Sequence, residues 1–179
     1  MCDAILEKCV PLWLAPNLIT LAGFSFILLP HLLTLVIYDN ELEGRIDGWY
    51  CVFTGVCFFM YNTLDNIDGK QARRTGTGSP MGMLFDHGLD AATCALSNYS
   101  FFRMWQCGPG LPALIQVMMS TIMAYYLFLE EYYIGKLVLG KFTGPDDLGI
   151  SLTLLCFFTA YYGSEEMWGR EVGRYIGVE

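Results

Sequence analysis

Asp65-Asn66-Ile67-Asp68-Gly69-Lys70-Gln71-Ala72-Arg73-Arg74, then a Gly/Ser/Thr-rich stretch, then Gly82-Met83-Leu84-Phe85-Asp86-His87-Gly88-Leu89-Asp90: this segment decides how the chain is read. Four aspartates lie between long apolar runs, where charge is costly and marks a functional site by default. On helices, Asp65, Asp68, Gly69 and Ala72 fall at i, i+3, i+4 and i+7, one face. Gly82, Asp86 and Asp90 repeat every four residues, again one face. Two such faces opposed would gather four carboxylates around one point, where they repel unless a cation neutralises them. Hard oxygen ligands suit Mg²⁺, Mn²⁺ or Ca²⁺ rather than Zn²⁺, and four carboxylates could hold two ions. Gly69, Ala72 and Gly82 leave room for a ligand against the backbone, and Arg73 supplies a fork suited to phosphate. Together these residues describe a site for a diphosphate substrate.

The rest of the chain supplies the setting. Its 179 residues suggest one domain, 1–179, and 54% hydrophobic and 15% aromatic residues with a mean hydropathy of +0.42 point to a membrane. The net charge of −8 argues against nucleic acid as a partner. The seven cysteines form no CxxC or disulfide framework. Cys51, Cys57, Cys94 and Cys156 lie in apolar runs and read as small buried hydrophobes. Asp3, Glu7 and Lys8 precede any apolar run, which argues against a cleavable signal peptide.

Five apolar runs predict an all-α, polytopic membrane bundle of about five spans. The first, Leu18 to Tyr38, is preceded by Trp13, Leu14 and Pro16, residues suited to a membrane interface. Pro30 is expected to kink it. Asn17 stands at its start, where asparagine ordinarily caps a helix. The second run, Gly48 to Leu64, leads straight into Asp65. Arg74 to Ser79 reads as a turn, and Pro80 opens a third helix reaching Trp105. Its Ala91, Ala92, Ala95 and Ser97 suit close helix packing in lipid. Leu111 to Leu129 is the fourth run and Leu148 to Tyr162 the fifth. Glu130 to Asp147 reads as a polar loop whose acidic pairs, Glu130-Glu131 and Asp146-Asp147, are expected to be solvated, with a second metal site there as the lesser alternative. Gly163 to Glu179 reads as a polar tail, disordered or interfacial. The basic cluster Lys70, Arg73, Arg74 contrasts with the acidic loop 39–47, so the positive-inside rule sets the 65–80 region on the cytosolic side.

The residues Asp65, Asp68, Gly69, Ala72, Arg73, Gly82, Asp86 and Asp90, with eight residues between Arg73 and Gly82, resemble the signature of the CDP-alcohol phosphotransferases at all eight fixed positions. The words Asp-Gly-Lys-Gln-Ala-Arg-Arg-Thr and Leu-Phe-Asp-His-Gly resemble the eukaryotic choline and ethanolamine phosphotransferase branch. The likeness runs from about Pro16 to about Gly144. It implies transfer of phosphocholine or phosphoethanolamine from CDP-choline or CDP-ethanolamine to diacylglycerol, releasing CMP. It implies two Mg²⁺ ions, with Mn²⁺ as a substitute, on Asp65, Asp68, Asp86 and Asp90. Gly69, Ala72 and Gly82 would admit the nucleotide and Arg73 would hold phosphate. Pro16-Asn17-Leu18-Ile19-Thr20 resembles the first-helix motif, whose asparagine helps hold the CDP-alcohol. The resemblance implies an integral protein of the endoplasmic reticulum or Golgi, and admits a homodimer. The family core has six helices and this branch about ten, so the chain reads as a shortened form of a larger bundle.

A base must take the diacylglycerol proton. Asp90 serves some members of the wider family, yet a carboxylate on a cation is a weak base. His87 follows Asp86, titrates near neutrality and is typical of the branch; it is the expected base, with Asp90 mainly a metal ligand. His31 has no acidic neighbour and reads as structural. Three rivals stand beside this reading. A carboxylate-lined cation channel leaves Gly69, Ala72, Arg73 and Gly82 without a role. An inactive or partial member would keep the metal site without transfer. An enzyme using another alcohol, such as inositol, fits the local wording less well.

Overall fold

In lipid, an uncharged run can satisfy its backbone within itself only by coiling. The computed structural model describes residues 2–38, 44, 46–108, 110–135 and 145–168, and among these there are seven α-helices and no strand. They are α1 (Cys2–Cys9), α2 (Pro16–Ile37), α3 (Gly48–Thr75), α4 (Pro80–Met104), α5 (Leu111–Ile134), α6 (Pro145–Tyr162) and α7 (Ser164–Trp168). The five long helices lie where the five apolar runs predict them. Helices α2 and α5 are each long and apolar enough to cross a membrane, and α6 contains a shorter apolar stretch, Leu148–Tyr162. Helix α3 has 28 residues. At 1.5 Å per residue it is about 42 Å long, longer than a hydrocarbon core of about 30 Å. It can therefore keep its apolar half in lipid and carry its charged half to the rim.

Helix α3 is the axis of the bundle: α1, α2 and α6 pack on it, α4 packs on α2, and α5 on α4. The main core joins Ile27, Tyr50, Cys51, Phe58, Phe101, Met104 and Cys156. Inside it, the Thr34 and Tyr50 hydroxyls share a 2.6 Å hydrogen bond, and Thr34 also donates to the Pro30 carbonyl. That satisfies polar groups around Pro30, the proline in the interior of α2. Close approach in the bundle relies on glycine. A Cβ on Gly55 would stand 2.9 Å from Cys156 Cβ, and one on Gly48 would stand 3.1 Å from the Ala160 carbonyl oxygen. The small residues expected to do this on α4 do not all serve: Ala91 and Ala95 are exposed, and the tightest glycine packing is between α3 and α6. The reason is α3's position at the centre, with neighbours on several sides.

Four boundaries differ from expectation, the first being the polar tail, whose start forms α7 with Ser164 buried against the Met104 carbonyl. Asn17 does not cap α2; Ala15 is the N-cap and Asn17 lies in the first turn. Pro16 supplies the favoured start, which moves the cap two residues further back, from Asn17 to Ala15. Helix α5 continues through Glu130 and Glu131 to Ile134, so that acidic pair is helical rather than in a loop. Gly135, at a φ of 73°, ends it. The stretch before Pro16 contains α1, whose Leu6 is buried with Ile19 and Ile67. Arg74 donates to the Leu6 and Val10 carbonyls, and Gln71 to those of Pro11 and Leu14. Trp13 remains 81% exposed. Most of the acidic loop 39–47, the side chains of Asp146 and Asp147, and the tail beyond Trp168 lie outside the described residues.

Candidate active site

Four helix ends meet at one rim of the bundle. Gly76, at a left-handed φ of 65°, stops α3. A β-carbon resists that conformation, so glycine suits the position. Three residues on, the Ser79 hydroxyl accepts the Gly82 N–H at 3.0 Å and Pro80 opens α4. This short turn folds the start of α4 back beside the end of α3. The start of α2 and the end of α5 complete the rim. Between them lies a cavity of about 520 Å³, a size that suits a small-molecule ligand. Helix α2 contributes Asn17 and Thr20; α3 contributes Asp68, Gly69, Ala72 and Arg73; α4 contributes Gly82, Met83, Asp86 and His87; α5 contributes Glu131.

Asp65, Asp68 and Asp86 come together. One carboxylate oxygen from each lies within 4.8 Å of the others. Asp68 is only 4% exposed and accepts a 2.6 Å hydrogen bond from the Thr20 hydroxyl. Asp86 Oδ1 is buried and has no hydrogen-bond partner among the described residues. Three like charges this close repel, and a buried carboxylate oxygen without a donor is costly. An all-oxygen donor set with one orphaned acceptor fits a hard divalent cation. The fourth aspartate is placed differently. Asp90 neighbours Asp65 but accepts a 2.7 Å hydrogen bond from the Tyr61 hydroxyl. Neither Asp65 nor Asp90 is among the residues that line the cavity.

The small residues face it. A Cβ on Gly82 would stand 3.4 Å from Asn17 Oδ1 and 3.3 Å from Ser79 Oγ. A Cβ on Gly69 would meet Arg73 Nη1 at 3.5 Å. Larger side chains at either position would occupy cavity space. Asn17, Ala72 and Arg73 border the same space. All the residues singled out for substrate binding are thus brought together.

His87 lies on the same rim, half-buried. Its Nε2 is 3.3 Å from Glu131 Oε2, and its ring stacks on Phe128 with centroids 4.6 Å apart. His31, by contrast, lies outside the cavity and packs edge-on against Tyr99. Three functional candidates escaped the sequence reading: Thr20, Tyr61 and Glu131. Thr20 had a signal, since it stands one turn from Pro16 on the Asn17 face. Tyr61 precedes Asp65 by one turn, an i, i+4 pairing open to inspection. Glu131 had none, because its contact depends on how α5 returns along α4.

The family model for CDP-alcohol phosphatidyltransferases matches residues 13–168. The chain is 39% identical to choline/ethanolaminephosphotransferase 1 of Arabidopsis thaliana over 170 residues, covering 94% of this chain and 42% of that protein. It is 34% identical to cholinephosphotransferase 1 of Saccharomyces cerevisiae over 165 residues, 92% of this chain and 42% of that one. An uncharacterized class-I family protein of Dictyostelium discoideum is 40% identical over 158 residues, 88% of this chain and 39% of its own length. The chain therefore spans about two-fifths of the length of the curated relatives it matches. With a match of that extent over the carboxylate-bearing helices, the chain belongs to the CDP-alcohol phosphatidyltransferase family.

Proposed function

We propose that this protein transfers phosphocholine or phosphoethanolamine from CDP-choline or CDP-ethanolamine to diacylglycerol, giving phosphatidylcholine or phosphatidylethanolamine and CMP. The observation that carries the reading is the one cavity on which Asp68, Asp86, Gly69, Gly82, Arg73 and His87 all border. In this reading residues 1–179 act as one membrane domain. Asp65, Asp68, Asp86 and Asp90 hold two Mg²⁺ ions, for which Mn²⁺ can substitute. Bound there, such ions would supply positive charge to offset the negative charge that builds up at phosphorus. Asn17 and the bare faces of Gly69, Ala72 and Gly82 seat the nucleotide, and Arg73 holds phosphate through its planar fork.

His87 is the base. The diacylglycerol hydroxyl attacks the phosphorus of the phosphoalcohol, its proton passes to the imidazole, and CMP leaves. Glu131, with Oε2 3.3 Å from Nε2, faces the charge that the imidazole gains on taking the proton. Stacking on Phe128 fixes the ring plane. Asp90, bonded to Tyr61, serves the ions rather than the proton. The site opens to the cytosol at the endoplasmic reticulum or Golgi, where a soluble nucleotide enters and the lipid arrives sideways. A homodimer is compatible with the reading. A second reading is a family member that binds metal without transfer, for which the Asp65, Asp68 and Asp86 cluster would suffice.

The decisive experiment is a transfer assay in diacylglycerol vesicles with labelled CDP-choline and CDP-ethanolamine side by side. Label is expected in lipid, and His87→Ala is expected to lower turnover by about 10²-fold with Mg²⁺ and CDP-alcohol affinities unchanged. Metal binding without transfer from either donor would favour the partial member. Transfer only with inositol would favour the other alcohol. Retained turnover in His87→Ala would return the base to Asp90 or water.

A further inference from the structure

Helix α5 is the odd member of the bundle. Of residues 114–126, all are exposed except Ser120 and Ala124, and among the described residues the only helix on which α5 packs extensively is α4. Yet α5 contributes Glu131 to the cavity. Something must hold so lightly packed a helix in register, since a displacement of one residue turns Glu131 by about 100° around the axis.

Polar contacts between described residues join the pair at two places. One is His87 with Glu131. The other is Asn98 Nδ2, which donates to Ser120 Oγ at 2.7 Å. Asn98 is 7% exposed, and the Ser120 hydroxyl uses its own proton on the Val117 carbonyl, leaving its lone pairs for Asn98. The spacing is the same on both helices. From 87 to 98 is eleven residues up α4, and from 131 to 120 is eleven residues back along α5. Eleven residues are close to three turns, so His87 and Asn98 share a face of α4, and Glu131 and Ser120 share a face of α5. The contacts are two ends of one antiparallel seam, about 16 Å apart. Carried between them, the same register would set half-buried Cys94 opposite half-buried Ala124, small residues that let helices approach.

We infer that the Asn98–Ser120 hydrogen bond is a register lock, which holds α5 against α4 so that Glu131 meets His87. Asn98 and Ser120 are positioning residues that act through Glu131. The inference rests on the proposed role of His87 for its catalytic consequence and on the seam alone for the register. Elsewhere α5 offers mostly aliphatic and methionine side chains, which grip lipid as well as they grip protein, so one interhelical amide–hydroxyl bond has unusual weight here.

The test reads register and catalysis separately. Ala124→Cys is introduced into the otherwise native protein, in lipid vesicles, and oxidised with copper phenanthroline. The disulfide between Cys94 and the introduced thiol is scored by mass spectrometry of linked peptides. It should form readily. Adding Asn98→Leu or Ser120→Ala should slow it by about 3- to 10-fold, the size expected for losing one interhelical hydrogen bond. Ser120→Thr keeps the hydroxyl and should keep the rate. Without the cysteine, Ser120→Ala should lower turnover by a similar factor while the CDP-alcohol KM stays near wild type. In a Glu131→Gln background it should lower turnover no further. No disulfide with Ala124→Cys, undiminished cross-linking in both single variants, or additive losses with Glu131→Gln would each overturn the lock. Slowed cross-linking in a protein that stays fully active as His87→Ala would keep the lock and overturn the role of His87 instead.

Discussion

The same helices close the bundle at one end and open it at the other. At the far end, Gln106 sits at a φ of 55°. Its Oε1 accepts the Gly44 N–H, and its Nε2 donates to the Gly44 carbonyl and to Ser164 Oγ. Ser164 in turn donates to the Met104 carbonyl at 2.6 Å. Trp168 donates to Thr159, Trp105 stacks on Phe101, and Arg103 lies over the Tyr38 ring. At the site end, Gly76, Gly78 and Gly88 have nothing within 4 Å of a would-be Cβ, and Asp86 Oδ1 is left bare. Hydrogen bonds and rings are spent on closure where the fold needs only to stay shut. At the other rim, space and uncompensated charge are kept for a ligand.

The sharpest way to break the contrast is to remove charge at the open end. Asp68→Asn and Asp86→Asn should each nearly eliminate transfer, and chelation should do the same until Mg²⁺ or Mn²⁺ is restored. The variants should fold at least as well as wild type, since removing one of three crowded carboxylates relieves repulsion. Thermal unfolding of the metal-free proteins measures this, and full activity in EDTA would sink the metal site.

A smaller effect comes from filling space. Gly82→Leu projects into the cavity toward Asn17. It should raise the CDP-alcohol KM by at least about tenfold, equivalent to about 1.4 kcal/mol, and leave membrane insertion intact. Gly55→Val makes the opposite trade: its Cβ meets Cys156 at 2.9 Å, so overpacking should destabilise by about 1–3 kcal/mol with KM unchanged. Equal KM effects from both would mean that Gly82 is a packing residue.

Smaller again is the support beneath the carboxylates. Thr20→Val keeps the shape and removes the hydroxyl that bonds Asp68 at 2.6 Å. The Mg²⁺ concentration for half activity should rise by about tenfold, as expected for a group behind a metal ligand, and Thr20→Ser should restore most of it. A titration of activity against Mg²⁺ decides the point.

The open end was far more legible in the sequence than the closed one. The two aspartate faces follow from spacings within single helices, and Asp65, Asp68 and Asp86 meet because the 76–79 turn is short and marked by Gly76, Ser79 and Pro80. Asp90 has the same spacing yet is engaged by Tyr61, since its position along α4 places it beside Asp65 and away from the cavity. Glu131 and Ser120 were illegible, because periodicity finds the faces of one helix but not which faces of two helices meet. The α3–α6 seam was missed for the same reason: Gly55 means little until Cys156 is known to lie opposite. Gln106 carries no local signal either, since glutamine is seldom chosen for a left-handed turn.

That last residue gives the smallest expected effect on catalysis and the clearest test of what the closed end does. Gln106 combines a costly backbone conformation, about 1–2 kcal/mol for a non-glycine residue, with three side-chain hydrogen bonds to Gly44 and Ser164. Gln106→Ala keeps the backbone cost and loses the bonds. Gln106→Gly loses the bonds and relieves the cost. Both Gly44 bonds are exposed, so water replaces much of what they provide, and a net loss of about 1 kcal/mol is expected for Gln106→Ala. Gln106→Gly should lie closer to wild type, although it lacks every bond. Thermal unfolding in one detergent orders the three proteins. Transfer rate, CDP-alcohol KM and Mg²⁺ requirement should be unchanged in both variants, because the cavity residues sit at the other rim. A KM shift in either variant would show that the two ends are coupled through α4, and the division between closure and chemistry would then fail.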